Sequence, residues 1–220
     1  MKYKIHPTAL VEEGVEIGEG SAIWDNVHIR HHTRIGGQCI VGEKTHISYG
    51  VQIGNFVKIN AFVYICTAVT IEDGVMISAG SIFTNDLYPR ATDPGVTFLR
   101  SSEPDDQTLS TLVRTGATIG AGSVIGCNLT IGRFAMVGMG SLVTRSIGDY
   151  ALAFGRPART VGYVCRCGRP FARFEPDQFP ETVTHSCTQC QAYYFARGGM
   201  VFHNLEDPGP PCDKSLSSPA

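Results

Sequence analysis

Apolar residues return along this chain at a fixed interval. An aliphatic or aromatic side chain occupies every sixth position: Val11, Ile17, Ile23, Ile29, Ile35, Val41, Ile47, Ile53, Ile59, Ile65, Ile71, Ile77 and Phe83. The beat stops at Phe83 and resumes at Val113, Ile119, Ile125, Ile131, Val137 and Val143. Four residues after most of these stands a small or β-branched residue, as at Ser21, Thr33, Cys39, Thr45, Val51, Val57, Ser81, Ala117, Ser123 and Ser141. One residue after, Gly recurs at 18, 36, 42, 54, 120, 126, 132 and 138. Six is not a helical period, because 3.6 residues per turn would carry every sixth side chain around the axis. It suits a short strand followed by a tight corner, with the apolar residue pointing inward and Gly where the backbone turns sharply. Three hexads make one triangular coil of a parallel β-helix, so the repeats predict about six coils. With coils roughly 4.8 Å apart, the prism is on the order of 30 Å tall. Each coil buries its inward residues against the coils above and below. Spacing alone does not set the hand, and parallel crossovers are ordinarily right-handed.

A prism made only of ladders offers flat walls. Insertions at its corners carry function in such folds. The interruption from Thr84 to Leu112 is too long for a bare connection. It holds Asn85, Asp86, Tyr88, Arg90, Asp93 and Arg100, a mixture suited to a polar ligand.

The segments "FTNDLYPRA", "TLVRTGATIGAGSVIGCNLTIGRFAMVGMGSLVTRSI" and "GRPARTVGYVCRCG" resemble the nucleotide-sugar N-acetyltransferases of the hexapeptide-repeat superfamily. Within it, the chain is similar to enzymes that acetylate the 3-amino group of UDP- or dTDP-linked amino sugars. The resemblance runs from about His6 to Tyr163. It implies an all-β, left-handed parallel β-helix, overriding the usual right-handed crossover. It also implies a homotrimer, with acyl-CoA in the groove between neighbouring prisms and the projecting loop building the acceptor pocket. The implied function is acetyl-CoA-dependent N-acetylation of a nucleotide-linked amino sugar.

In such a reaction a neutral amine attacks a thioester, and charge develops on the carbonyl oxygen. Asn85 matches the family's loop asparagine. Its carboxamide is no base, but its oxygen can accept an N–H bond and orient the amine. The proton then passes to water, to the leaving thiolate or to a histidine. His28, His31, His32 and His46 cluster in sequence. His28 and His46 are eighteen residues apart, one coil, so they should stack on an outer face. His28 is the candidate base, and His31 and His32 read as a solvated face. Arg90 and Tyr88 are candidates for binding the acceptor. For acyl-CoA the resemblance points to Gly122 and Gly140, again eighteen residues apart, and to Arg156 and Arg159 as phosphate partners. Departures from the glucuronate-type enzymes at "ISAGSIFTN" and "AFVYICTAV" leave the acceptor sugar open. The alternatives are O-acetylation or N-acylation of another small molecule. Lesser alternatives are a γ-class carbonic anhydrase, whose histidines are missing from "VYICTAVTIEDGVMI", and a non-catalytic scaffold.

Beyond Gly162 the rhythm ends. Cys165, Cys167, Cys187 and Cys190 form C-x-C and C-x2-C pairs, the spacing of a closed structural zinc site, with His185 as a substitute ligand. So short an appendage needs such a staple. The domains expected are therefore a β-helix over 1–162 with its loop at 84–112, a zinc-ribbon-like appendage over 163–204, and a disordered tail over 205–220.

Composition narrows the setting. The chain has 220 residues and a formal net charge of −2, so no basic surplus invites nucleic acid. No apolar run reaches the ~20 residues of a membrane span, and "MKYKIHPTAL" lacks a signal-peptide core. These features point to the cytoplasm, where eight cysteines suit thiols or metal better than structural disulfides.

Overall fold

The computed structural model describes residues 3–204 apart from 102 and 106; the tail expected over 205–220 lies outside the described residues. The hexads fold as strands two or three residues long, from β1 (Lys4–Ile5) to β20 (Leu142–Val143). Each pairs in parallel with the strand one coil above and below, as in Leu10↔His28, His28↔His46 and His46↔Tyr64. Three parallel sheets of seven, seven and six hexad strands result, the first extended to ten by the strands that follow the last hexad. They are the walls of a left-handed parallel β-helix. No helix among the described residues is long and apolar enough to cross a membrane.

The core is the inward column of the repeat. Ile29, Ile47, Ile65, Ile77, Ile119, Ile125, Ile131 and Val143 are fully buried. The small residues four positions later are buried too, and their polar atoms are satisfied by backbone. The Ser21 hydroxyl donates to the Gly36 carbonyl at 2.8 Å and accepts from the Cys39 N–H at 2.9 Å. Thr33 Oγ1 donates to the Ser48 carbonyl at 2.8 Å.

The glycines that follow the inward aliphatics do a different job from the one expected. The left-handed backbone sits two residues later, at Gly20, Asn26, His32, Gln38, Lys44, Gly50, Phe56 and Phe62. A helical hand is thus imposed on ordinary side chains, each at a cost of about 1–2 kcal/mol. At Gly36, by contrast, a Cβ would stand 2.5 Å from the Gly54 carbonyl oxygen of the next coil. Gly18 and Gly120 are equally tight. These glycines let coils stack at ladder distance; they do not make the turn.

The ladder breaks between β14 (Ile82–Phe83) and β15 (Thr111–Val113), so β15 begins just inside the expected loop. The break leaves the stacking intact: Ile71 still pairs with Val113, and Phe83 with Ile125. At the far end, β21 (Ala151–Gly155) and β22 (Ala158–Val164) form an antiparallel hairpin on the ten-stranded sheet, and β23 (Pro170–Arg173) extends it. β22 runs through the boundary expected at 162. A separate antiparallel sheet, β24 (Thr182–Ser186), β25 (Tyr193–Arg197) and β26 (Met200–Asn204), completes the tail.

Candidate functional site at the broken ladder

The insertion leaves the prism at Asn85 and folds as a ragged hairpin. Asp86 bridges Thr108, Thr92 bridges Leu99, and the Leu109 N–H donates to the Asn85 carbonyl at 2.9 Å. Its tip is organised by Asp93, whose carboxylate accepts from the N–H groups of Gly95, Thr97 and Phe98 at 2.7–3.0 Å. Those bonds hold the Asp93 carboxyl down to about 2. The hairpin encloses a cavity of about 360 Å³ lined by Asn85, Asp86, Arg90, Arg100, Glu103 and Gln107. Arg90 and Arg100 also face a second, wider hollow. Arg100 is tied down, donating to Gln107 Oε1 at 3.2 Å and lying 3.7 Å from an Asp105 oxygen. The Arg90 guanidinium donates to the Pro89 carbonyl. Tyr88 is among the more exposed side chains of the chain and lies outside the cavity lining.

The stacked register puts His31, Tyr49, Thr67 and Asn85 in one corner column. The His31 and Tyr49 rings are parallel at 5.1 Å, and Thr67 Oγ1 donates to the Tyr49 carbonyl at 2.8 Å. Burial and the Glu103 carboxylate of the loop both push the Tyr49 phenol up. Tyr49 carried no signal in the sequence beyond residue type; what brings it against His31 is the eighteen-residue coil.

His28 and His46 do stack, edge to face at 5.0 Å, with Tyr64 parallel to His46 at 5.3 Å. Glu12, unmarked in the sequence, anchors this group. Its Oε1 accepts from His28 Nε2 at 2.8 Å and lies 2.8 Å from Arg30 Nε, while Oε2 accepts from the His31 N–H. Burial would raise the Glu12 carboxyl, but these partners outweigh it and hold the group down to about 2. A carboxylate only accepts, so the His28 proton is on Nε2. Burial first, then His28, pushes His46 below its ordinary range. His28 and Asn85 are not brought together. The ladder His28↔His46↔Tyr64↔Ile82 separates them by three rungs, about 14 Å along the axis.

Gly122 and Gly140 stack as expected, with the Gly140 N–H donating to the Ala121 carbonyl and the Gly122 N–H to the Ala79 carbonyl. Both have left-handed φ, and a Cβ on either would meet nothing within 4 Å. They leave a strip without side chains at one corner of the prism. Arg156 lies in the exposed β21–β22 turn. Arg159 is already engaged, 3.4 Å from Asp177 and donating to the Ala158 carbonyl.

The four tail cysteines converge, with their sulfurs all within 4.8 Å of one another. Cys165 and Cys190 Sγ are 3.3 Å apart, Cys167 and Cys187 Sγ 3.7 Å. The Cys190 N–H holds the Cys187 thiol down to about 6, while burial pushes Cys165 up to about 12. His185 is not in the cluster; its ring stacks on Phe171 at 4.8 Å.

Repeat and register together define a left-handed parallel β-helix built from hexads. Comparison with known proteins agrees: residues 50–85 match the family model of the bacterial transferase hexapeptide (six repeats). A dTDP-3-amino-3,6-dideoxy-α-D-galactopyranose 3-N-acetyltransferase of Aneurinibacillus thermoaerophilus is 63% identical over 57 residues, which is 26% of this chain and 30% of that protein. The bifunctional protein GlmU of Synechococcus sp. is 30% identical over 140 residues, 64% of this chain and 27% of that protein. These alignments span under a third of each relative's own length. Among solved structures, a variant of AntD, an N-acyltransferase from Bacillus cereus in complex with dTDP and coenzyme A, superposes with a TM-score of 0.50. It is 19% identical, covering 76% of this chain and 85% of that one.

Proposed function

We propose that this chain is an acyl-CoA-dependent N-acyltransferase that acetylates the amino group of a nucleotide-linked amino sugar, of the 3-amino type. The observation that carries the reading is the polar cavity at the broken ladder, rimmed by Asn85 and Arg90. The short, strong match to a dTDP-3-amino-sugar N-acetyltransferase supports it. In this reading the Asn85 carboxamide oxygen accepts an N–H from the amine and aims its lone pair at the thioester carbonyl. The C–N bond forms, the C–S bond breaks, and the departing thiolate or water takes the ammonium proton. Arg90 meets a diphosphate or carboxylate of the acceptor, with Tyr88 at the rim. Pantetheine runs along the Gly122–Gly140 strip of a homotrimer groove, with Arg156 and Arg159 toward the phosphates. The setting is the cytoplasm, where both substrates are made. Cys165, Cys167, Cys187 and Cys190 hold a structural zinc ion: four thiolates close the coordination sphere and leave no place for a reacting ligand.

The buttressed Glu12–His28 pair favours a second reading, O-acetylation, because a hydroxyl needs a base. Its distance from Asn85 argues against a shared acceptor. The test is thiol release from acetyl-CoA against UDP- and dTDP-linked amino sugars and their hydroxy analogues. Turnover with a 3-amino sugar, much reduced in Asn85→Ala and little changed in His28→Ala, supports N-transfer. Loss confined to His28→Ala, with a hydroxyl acceptor, overturns it.

A further inference from the structure

Resting on the reading that the four thiols hold a metal, we infer that this centre clamps the C-terminal end of the prism to the tail, rather than stapling the tail alone. The ligands come in equal numbers from two sheets that share no backbone ladder. Cys165 directly follows β22, which belongs to the ten-stranded wall, and Cys167 is in the same turn. Cys187 and Cys190 lie in the turn between β24 and β25 of the separate sheet. Each turn is shaped by its own bonds: the Gly168 N–H donates to the Cys165 carbonyl at 2.7 Å, and the Gln191 N–H to the Cys187 carbonyl at 2.8 Å.

The donor set fits the metal. A tetrahedron with zinc–sulfur bonds of about 2.3 Å has edges of about 3.8 Å; the Cys165–Cys190 and Cys167–Cys187 separations are 3.3 and 3.7 Å, and all four sulfurs lie within 4.8 Å of one another. The Tyr194 hydroxyl lies 3.2 Å from Cys165 Sγ and accepts the Arg166 N–H at 2.9 Å, so a tail side chain supports a ligand on the prism side.

The cluster is also continuous with the last coil. Cys165, Cys187, Ala192 and Tyr194 are buried in one apolar group with Tyr150, at the top of the prism. Tyr150 stacks on Phe134 at 5.5 Å and meets Tyr194 edge-on at 5.4 Å. Its carbonyl accepts the Val164 N–H at 2.8 Å. A solenoid needs a cap where its core would otherwise meet water. At this end Ile147, Ala151, Leu152 and Ala153 are all buried. At the other end Ile5, in the inward register of Ile23, stands exposed. Removing the metal unties the two sheets at the point where the cap is fastened.

The test is hydrogen exchange on the full-length chain, read by mass spectrometry, with zinc content measured in parallel. One zinc per chain is expected. Stripping it with a mercurial thiol reagent and chelator, under reducing conditions, should raise exchange by about tenfold or more across 147–164 as well as 170–203, and leave 22–65 unchanged. Adding zinc back should restore protection. Tyr194→Phe, which keeps the fold, should weaken zinc retention by about 10–100-fold. Zinc that binds and whose loss exposes only 170–203 overturns the clamp while the zinc site stands. A chain that takes up no zinc overturns the metal reading itself. Neither result bears on acyl transfer.

Discussion

Gly36→Ala separates two reasons for glycine in this fold. Gly36 has ordinary φ, but an added Cβ would lie 2.5 Å from the Gly54 oxygen, 2.6 Å from its carbonyl carbon and 2.7 Å from Asn55 Oδ1. Two of these are backbone atoms of the next coil and cannot swing aside. Normal contact requires several tenths of an ångström more, so the ladder between neighbouring coils must open. Overpacking of this kind costs about 1–3 kcal/mol, and rigid neighbours place this site near 3. Gly50→Ala is the control. Its Cβ meets nothing within 4 Å, but φ is +70, so the cost is the left-handed backbone alone, about 1–2 kcal/mol. The assay is urea unfolding followed by circular dichroism, with thermal melting beside it. At about 2–4 °C per kcal/mol for a chain of this size, Gly36→Ala should lower Tm by about 6–12 °C, and Gly50→Ala by about 2–8 °C, one to two thirds as much. Asn26→Gly, which relieves a φ of 53, should be neutral or stabilising. Gly36→Ala no more harmful than Gly50→Ala would refute the account of coil stacking.

Asn85→Ala should lower kcat for the 3-amino acceptor about 10–100-fold, the loss of one orienting hydrogen bond in the transition state. His28→Ala should change it less than threefold, about 0.6 kcal/mol, both read by thiol release. Asp93→Ala removes the acceptor of three loop N–H groups; it should raise KM for the acceptor while leaving the unfolding midpoint unchanged. Ser21→Ala strands the Cys39 N–H in the core and should cost about 1–3 kcal/mol in urea unfolding. The Glu12 carboxyl is depressed from 4.5 to about 2 in the fold. Its contribution is complete above the unfolded value and is lost as pH falls toward the folded one. The urea midpoint should therefore drop between pH 4.5 and about 2, and Glu12→Gln should flatten that limb.

The walls of the prism were legible because each inward position obeys one rule, and a single register satisfies all of them. A slip by one residue would turn Ile29, Ile47 and Ile65 outward together. The role of the glycines was not legible, because composition cannot tell a turn from a close approach. Both reasons select the smallest side chain, and only coordinates show a carbonyl 2.5 Å from where Gly36 would carry a Cβ. Glu12 was missed for a related reason. Its partners His28 and Arg30 come from the next coil, so no local spacing marks it. The thiol cluster was legible as four residues, but its division between two sheets was not, since the strand containing Val164 runs past the point where the hexad rhythm ends.

Height along the prism is what the repeat encodes most directly, and it sets Asn85 and His28 apart. Every eighteen residues of uninterrupted repeat raise the chain by one rung, so positions 28, 46, 64 and 82 form a scale. The inserted loop adds residues without adding height, because Phe83 and Ile125 still pair as neighbours. Asn85 therefore belongs to the rung of Ile82 whatever the loop does, and His28 stays about 14 Å below it. In a trimer whose axis runs parallel to the prisms, rotation moves a residue around that axis and leaves its height unchanged. A neighbour's His28 would then sit as far below Asn85 as the chain's own. On the proposed reading, the thiolate released at the rung of Asn85 is the group placed to take the proton of an amine held there.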